Sequence, residues 1–359
     1  MERVVSELCE GLAGEGHAVK AVVASRDGKF SDETINGVEV VRLRSRGSLF
    51  SQPLISGLRE EIRAFRPDVV QFHVPNPLAL ETGFCGDIPT CLTIHAEAGG
   101  LLRRPIDRAL TERFARRSQA LIFSSTQMAS RWGLDPRARQ AGGPIVRVIP
   151  FGFRFDYLKT VGSMQDPTLL LFVGRLVKYK GIETLIQAMT RVEGKLAIIG
   201  TGPLQNYLAA MAEQLGVRDN VRFLGAVPDS ELIDWYERCA AYVQPSISTA
   251  EAFGISMLEA MHVGRPIVST DLPTGVRSVN QHLHTGLVVP PRDPVALSAA
   301  LNTLLKDQAL ARKLGSAARE HEKTFDAQLM IFAHLDLYRR LVGKVNDKAN
   351  FEADSLLRL

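Results

Sequence analysis

Glu251 and Glu259 flank Ala252-Phe-Gly-Ile-Ser-Met-Leu258, so two carboxylates are separated by seven residues with a Phe-Gly pair among them. The apolar run Ala241-Tyr-Val-Gln-Pro245 ahead of them predicts a buried strand, and Ala260-Met-His-Val-Gly264 behind them predicts a helix closing on glycine. Glu251 then falls in a strand-to-helix loop and Glu259 about one turn into the helix. Gly254 lets backbone come close to a ligand, and the amides of Phe253, Gly254 and Ile255 lie at the positive helix end. Anion-binding amides between two hydroxyl-accepting carboxylates suit a phosphate that carries a sugar on each side.

A second cluster, Gly174-Arg-Leu-Val-Lys-Tyr-Lys180-Gly181, follows the strand-like run Leu169–Val173 and precedes the helical pattern Ile182–Met189. Arg175 and Lys180 therefore fall at the carboxyl edge of a parallel sheet, where open α/β folds bind ligands. A guanidinium and an ammonium there can neutralise a diphosphate. When a sugar–phosphate bond breaks, the departing diphosphate gains charge, so such groups favour the transition state over the ground state. Asp271-Leu-Pro-Thr-Gly-Val276 follows another predicted strand and offers Thr274 and Gly275 to the same diphosphate; as a plain turn, its Pro and Gly would serve geometry alone. Two further predicted strands end in histidine, at Val70-Gln-Phe-His73 and Leu92-Thr-Ile-His95. A strand end facing a ligand cleft is one environment for such a side chain, and a satisfied core imidazole is the other.

These elements need a scaffold, and the chain supplies one. Short apolar runs alternate with helical patterns from end to end, the mark of a doubly wound α/β protein. The first half offers strands at 18–24, 38–43, 69–73, 90–95, 120–124 and 146–149, with helices at 4–14, 53–65 and 105–118. The second offers strands at 169–173, 195–199, 221–224, 241–244, 266–269 and 287–289. The expected division is a first domain over 1–155, a second over 156–325, a helix over 326–342 and a loosely ordered tail over 343–359. In that helix Leu329, Phe332, Ala333, Leu335, Leu337 and Leu341 need a surface to cover.

The Glu-Ala-Phe-Gly…Leu-Glu-Ala-Met segment resembles the signature of retaining glycosyltransferases of family 4, which have the GT-B fold: two Rossmann-like domains facing across a cleft. The resemblance implies that Glu251 touches hydroxyls of the donor sugar, that Glu259 binds the ribose, and that the amides between them hold the diphosphate. It implies phosphate contacts for Arg175 and Lys180, set by Gly174. Leu92–Glu97 looks like the family's Trp-His-Ser-Asp segment, with Ile94 replacing the aromatic and Glu97 the aspartate. It implies that His95 positions the transferred sugar rather than acting as a full general base. The run His73-Val-Pro-Asn76-Pro-Leu is similar to a segment of family 4 mannosyltransferases that build polysaccharides, making His73 and Asn76 acceptor-side candidates. Gly286-Leu-Val-Val-Pro-Pro looks like the same branch. The final helix of such proteins crosses back to the first domain. A strand and Gly-Gly loop precede their first helix, and the expectation here is that both are missing at this N-terminus.

The implied activity moves a sugar, with mannose from GDP-mannose favoured, onto a lipid-linked oligosaccharide or polysaccharide precursor, without cofactor or metal. No Asp-x-Asp pair with a following ligand cluster is present. The alternatives are a UDP-glucose or UDP-N-acetylglucosamine donor, or a non-catalytic nucleotide-sugar-binding or scaffold protein. A nicotinamide-dependent dehydrogenase would need a Gly-x-Gly-x-x-Gly after a strand, and Gly200-Thr-Gly-Pro203 is not one.

Composition sets the outer bounds. The 359 residues are 45% hydrophobic and 23% charged with a net charge of +4, a globular composition with a basic bias too weak for a nucleic-acid partner. Four scattered cysteines form no Cys-x-x-Cys pair, which points away from zinc and disulfides and towards a cytoplasmic setting. Arg103, Arg104, Arg108, Arg113, Arg116 and Arg117 crowd 103–117, either a solvated helix face or a peripheral membrane contact.

Overall fold

The computed structural model describes residues 2–25, 28–49, 52–74, 83–86, 88–95, 104–134, 143–158 and 162–343. They form two compact units: 1–123 with 134–152 and 327–359, and 124–133 with 153–326.

In the first unit the helix Glu2–Gly14 buries Val4, Leu8 and Leu12, one residue per turn on a single face. It leads into β1 (Val19–Ala24), which pairs in parallel with β3 (Val38–Leu43). β2 (Ser31–Ile35) runs antiparallel on β3 through Asn36-Gly37, both left-handed at φ 48° and 82°. That is the pair a two-residue hairpin of primed type asks for. β4 (Ser45–Leu49) and β5 (Gln52–Ile55) form a separate hairpin. The helix expected over 53–65 therefore begins only at Leu58: residues 52–55 are taken by strand pairing, and Gly57 at φ 90° turns the chain into the helix Leu58–Phe65.

β6 (Val70–Val74), β7 (Thr90–Ile94), β8 (Ala120–Phe123) and β9 (Ile145–Val148) then form a parallel sheet in that order. The helix Ala327–Leu341 belongs to this unit and buries Met330, Ile331, His334, Leu335 and Leu337. It packs on the first helix where Gly11 leaves room: a Cβ there would lie 2.0 Å from Ile331 Cδ1. Leu329 and Phe332 were expected to be covered, yet they are 55% and 51% exposed, because they lie on the helix face opposite Met330 and His334.

The second unit holds one six-stranded parallel sheet in the order β12 (Val221–Gly225), β11 (Lys195–Ile199), β10 (Leu169–Val173), β13 (Ala241–Gln244), β14 (Ile267–Thr270), β15 (Gly286–Val289). Its strands read as unbroken apolar runs because both faces are covered. Leu170, Phe172, Ile198, Val243 and Val268 meet Leu185, Leu208, Leu301 and Leu314 from the helices in one core. From β10 the chain winds outward through β11 and β12; it then returns to β13 and winds the other way. The seam between β10 and β13 is thus a topological switch point, where open α/β sheets leave a crevice at the carboxyl ends of the strands.

All four cysteines are free, and burial pushes the Cys91 and Cys239 thiols up to about 12, so neither is a ready nucleophile. Among the described residues no helix is long and apolar enough to cross a membrane.

Candidate functional site

At the switch point of the second unit, the loop after β10 and the loop after β13 are tied together. Ile247 N donates to Tyr179 O at 2.8 Å, and Gly181, at φ 68°, lies against Pro245. A Cβ on Gly181 would sit 2.0 Å from the Pro245 carbonyl oxygen, so only glycine fits. The short 3-10 turn Lys178–Lys180 that ends on this glycine carries Lys180 across to Glu251, Nζ to Oε2 at 2.7 Å.

Lys180 and Glu251 are both buried, and Oε2 of Glu251 is crowded. It also accepts from Gln244 Nε2 at 2.6 Å and from Ser246 Oγ at 2.7 Å. The Tyr242 hydroxyl lies 2.7 Å from Gln244 Oε1 and orients that amide. Tyr242 and Gln244 share one face of β13, and the next residue on that face, Ser246, completes the set. With every partner gathered on one oxygen, Oε1 of Glu251 carries no hydrogen bond from a described residue. It remains available to a hydroxyl. A buried carboxylate fixed by one cation and two neutral donors is a rigid acceptor.

Three residues further on, Gly254 takes φ 86° and starts the helix Ile255–His262. In its first turn Met257 N donates to Gly254 O at 2.9 Å, and the Ile255 and Ser256 amides ahead of it are the ones an anion at that end would bind. Phe253 is buried edge-on against Phe325 at 5.5 Å and covers Gly275, where a Cβ would lie 2.4 Å from its ring. The loop after β14 is locked to this corner by Gly275 N donating to Ala252 O at 2.8 Å. Thr274 is fully buried and its hydroxyl accepts from Val276 N at 3.4 Å, so it serves the loop. Gly275 is needed for packing against Phe253.

Glu259 is also buried, its two oxygens accepting from Tyr157 at 2.6 Å and Tyr236 at 2.7 Å. Burial, with Glu259 next, holds the Tyr236 hydroxyl well above its ordinary range, so it stays a donor. Arg175 stands two residues past the end of β10, and its side chain is exposed with no ion-pair partner among the described residues. Gly174 lies beneath Lys180: a Cβ there would be 3.7 Å from Nζ.

In the first unit His73 and His95 stand at the carboxyl ends of the adjacent strands β6 and β7. His73 Nδ1 and His95 Nε2 are 2.7 Å apart, and the Phe151 ring lies 4.9 Å from that of His95. Burial, followed by the nearby His334, lowers the His73 imidazole to about 3. Burial, followed by His73, holds His95 well below 6.5, so both rings are neutral at pH 7.

The structure thus brings Lys180, Glu251, Phe253, Gly254 and Gly275 to one corner of the second unit, and His73 with His95 to one edge of the first. Asn76, Glu97 and Arg103 lie outside the described residues. Arg113 and Arg116 are exposed, while Arg117 sits 5.1 Å from the Phe84 ring. Sequence reasoning missed Gln244, Ser246, Tyr157 and Tyr236. The period-two spacing of Tyr242, Gln244 and Ser246 was a usable signal; Tyr157 sits in an irregular stretch that carried none. Among the described residues no three His, Cys, Asp or Glu side chains gather as a metal site would require.

Two family descriptions match the chain: Glycosyl transferases group 1 over residues 154–321 and Glycosyltransferase Family 4 over residues 1–138. A D-rhamnosyltransferase of Pseudomonas aeruginosa is 31% identical over 91% of this chain and 88% of its own. The O-antigen chain mannosyltransferase C of Escherichia coli is 28% identical over 95% of this chain and 94% of its own. Among solved structures, a sucrose-phosphate synthase from Thermosynechococcus elongatus superposes with a TM-score of 0.78 at 24% identity, covering 95% of this chain and 93% of that one. Anabaena HepE, crystallised with UDP, gives a TM-score of 0.71 at 19% identity over 90% of this chain and 100% of its own. Both share the fold.

Proposed function

The chain belongs to the family 4 glycosyltransferases, hexosyltransferases of the GT-B fold, and from that premise we propose that it moves mannose from GDP-mannose onto a lipid-linked oligosaccharide or polysaccharide precursor, with retention of configuration and without a metal ion. The observation that carries the reading is the switch-point corner. There a buried lysine–glutamate pair leaves one carboxylate oxygen open just ahead of a helix N-terminus, and the exposed Arg175, without an ion-pair partner among the described residues, follows the neighbouring strand β10.

Arg175, Lys180 and the first-turn amides of Ile255–His262 take the diphosphate. They are already in place when the bond from C1 of the sugar to the phosphate oxygen breaks, so they need no reorganisation as charge develops. Oε1 of Glu251 accepts from a hydroxyl of the transferred sugar, and Glu259, steadied by two tyrosines, accepts from the ribose. His95 positions the sugar. The acceptor hydroxyl attacks C1 from the side the diphosphate leaves; the new C1–O bond forms as the old one breaks. Its proton passes to the departing phosphate oxygen. This route uses no side-chain nucleophile. With these cations and amides neutralising the leaving group, no metal is required.

Mannose is favoured because a relative matched over nearly its whole length is named a mannosyltransferase of the O-antigen chain. HepE was solved with UDP, so UDP-linked sugars belong in the test as the alternative donors. An acceptor held at a membrane suits the arginines of 103–117, each adding about 1 kcal/mol at most beside an anionic surface.

A thermal-shift panel of GDP-, UDP- and ADP-sugars tests the donor. GDP-mannose is expected to give the largest shift, and transfer from it is expected to persist in EDTA. A larger shift with a UDP-sugar would replace the donor and spare the transferase. Intact nucleotide binding with neither transfer nor hydrolysis would instead favour a non-catalytic binding protein.

A further inference from the structure

Behind His95 a line of polar side chains runs through the first unit. Tyr338, on the helix Ala327–Leu341, hydrogen-bonds through its hydroxyl to Gln71 Oε1. The Gln71 amide nitrogen lies 2.9 Å from Thr93 Oγ1 and 3.4 Å from His73 Nε2. His73 then reaches His95 through Nδ1, at 2.7 Å from Nε2. The line passes from the helix to β6, runs along β6 from Gln71 to His73, and crosses to the end of β7. The far nitrogen of His95, Nδ1, has no partner among the described residues.

Each neutral imidazole carries one proton, so the direction of one link fixes the next. The Tyr338 hydroxyl donates to Gln71 Oε1, and burial keeps it protonated. Gln71 therefore accepts through Oε1, which turns its NH2 towards Thr93 and His73. His73 must accept at Nε2 and carry its proton on Nδ1. That proton is donated to His95 Nε2, and the proton of His95 is left on Nδ1.

Cys9, Cys91 and His334 also lie close to the line, and burial keeps all three uncharged at pH 7. His334 bonds Met330 O through Nδ1 at 2.8 Å, stands 5.9 Å from the Tyr338 ring, and is lowered to about 4 by burial. A flipped Gln71 amide would reverse every bond and leave His95 with its proton on Nε2, so the sense of this one amide is what must be measured.

We propose that Tyr338, Gln71 and His73 form a directed hydrogen-bond relay that holds His95 as its Nδ1–H tautomer, so that it presents a donor, not an acceptor, to an oxygen of the bound sugar. His73, expected from the sequence on the acceptor side, becomes a positioning residue acting through His95. The kinetic part of the proposal rests on the transferase reading; the tautomer does not.

The test uses the full chain labelled with 15N-histidine. Long-range proton–nitrogen correlation reads which ring nitrogen of each histidine is protonated, and the His95 signals are those lost in His95→Asn. In the wild type Nδ1 of His95 is expected to be protonated and Nε2 bare. His73→Phe should release His95 into a mixture of tautomers and lower kcat by about 10–100-fold, as loss of a residue that orients a functional histidine does. His73→Asn, whose amide N–H can stand where Nδ1–H stood, should keep the tautomer and recover kcat to within a few-fold. If His73→Phe does not fold, Tyr338→Phe, which frees the Gln71 amide, should give the same mixture.

A wild-type His95 protonated on Nε2, or a tautomer indifferent to His73, overturns the relay. An altered tautomer with unchanged kcat overturns the role given to the donor. A wild type that transfers no sugar would sink the transferase reading, and the tautomer would still decide the relay.

Discussion

The two units offer chemistry of opposite kinds at the same place in the fold, the carboxyl ends of adjacent parallel strands. In the second unit the groups are ions: Lys180 and Glu251 at 2.7 Å, with Arg175 exposed beside β10. In the first they are uncharged rings, His73 and His95, also at 2.7 Å. A leaving diphosphate needs fixed opposite charge; a sugar hydroxyl needs only direction. The second unit holds fixed charge and the first holds neutral, oriented rings, so perturbations should separate them.

The largest effect is expected from Lys180→Ala. It leaves Glu251 buried without its cation, which costs about 3–5 kcal/mol of stability in such sites. Removing the diphosphate contact should also lower transfer by about 10²–10³-fold, the cost of losing one preorganised donor. Urea unfolding and steady-state transfer measure the two losses. Arg175→Ala should lose transfer by the same factor while unfolding stays within about 0.5 kcal/mol of wild type, since the side chain is exposed and has no ion-pair partner among the described residues. Equal destabilisation by both would erase the distinction drawn between them.

Acid should act mainly on the other unit, which holds three imidazoles lowered by burial, against His321 in the second. His73, His95 and His334 are held neutral with values lowered to about 3, well below 6.5 and about 4 respectively. Unfolded histidines take up protons near 6.5, so the unfolded state binds more protons below that pH. Stability is therefore full above pH 6.5 and is lost as pH falls towards 3–4, by up to about 1.4 kcal/mol per pH unit for each ring. Trp132 and Trp235, the two tryptophans of the chain, lie in the second unit. As pH is lowered from 7 to 4, far-ultraviolet circular dichroism should shift before tryptophan fluorescence does; coincident curves would argue against a weakness confined to the first unit.

The smallest effect is expected from Tyr157→Phe. Glu259 keeps Tyr236 and loses one hydrogen bond, so donor KM should rise a few-fold for about 1 kcal/mol, with kcat unchanged.

The sequence told more about the second unit than the first, for physical reasons. A parallel sheet covered on both faces leaves continuous apolar runs, and each expected strand at 169–173, 195–199, 241–244 and 287–289 overlaps an observed one. β2 lies wholly exposed at the edge of its sheet and carries no apolar signal. Its Asn36-Gly37 turn was legible and went unused. The hairpin β4–β5 was hidden by the helical pattern that follows it. Glu251 and Lys180 were found from residue type and spacing, but their contact depends on β10 and β13 being neighbours, a fact of topology. The relay behind His95 draws on residues 71, 73, 95 and 338; the first two share a face of β6, but no local pattern ties them to 95 and 338.

The most direct measurement is calorimetric titration of the nucleoside diphosphate that wins the donor panel, and of its parent nucleoside, into wild-type and Arg175→Ala protein. Arg175→Ala should weaken the diphosphate at least tenfold, about 1.4 kcal/mol, and leave the nucleoside unaffected. Undiminished diphosphate affinity in a folded Arg175→Ala protein would contradict the account.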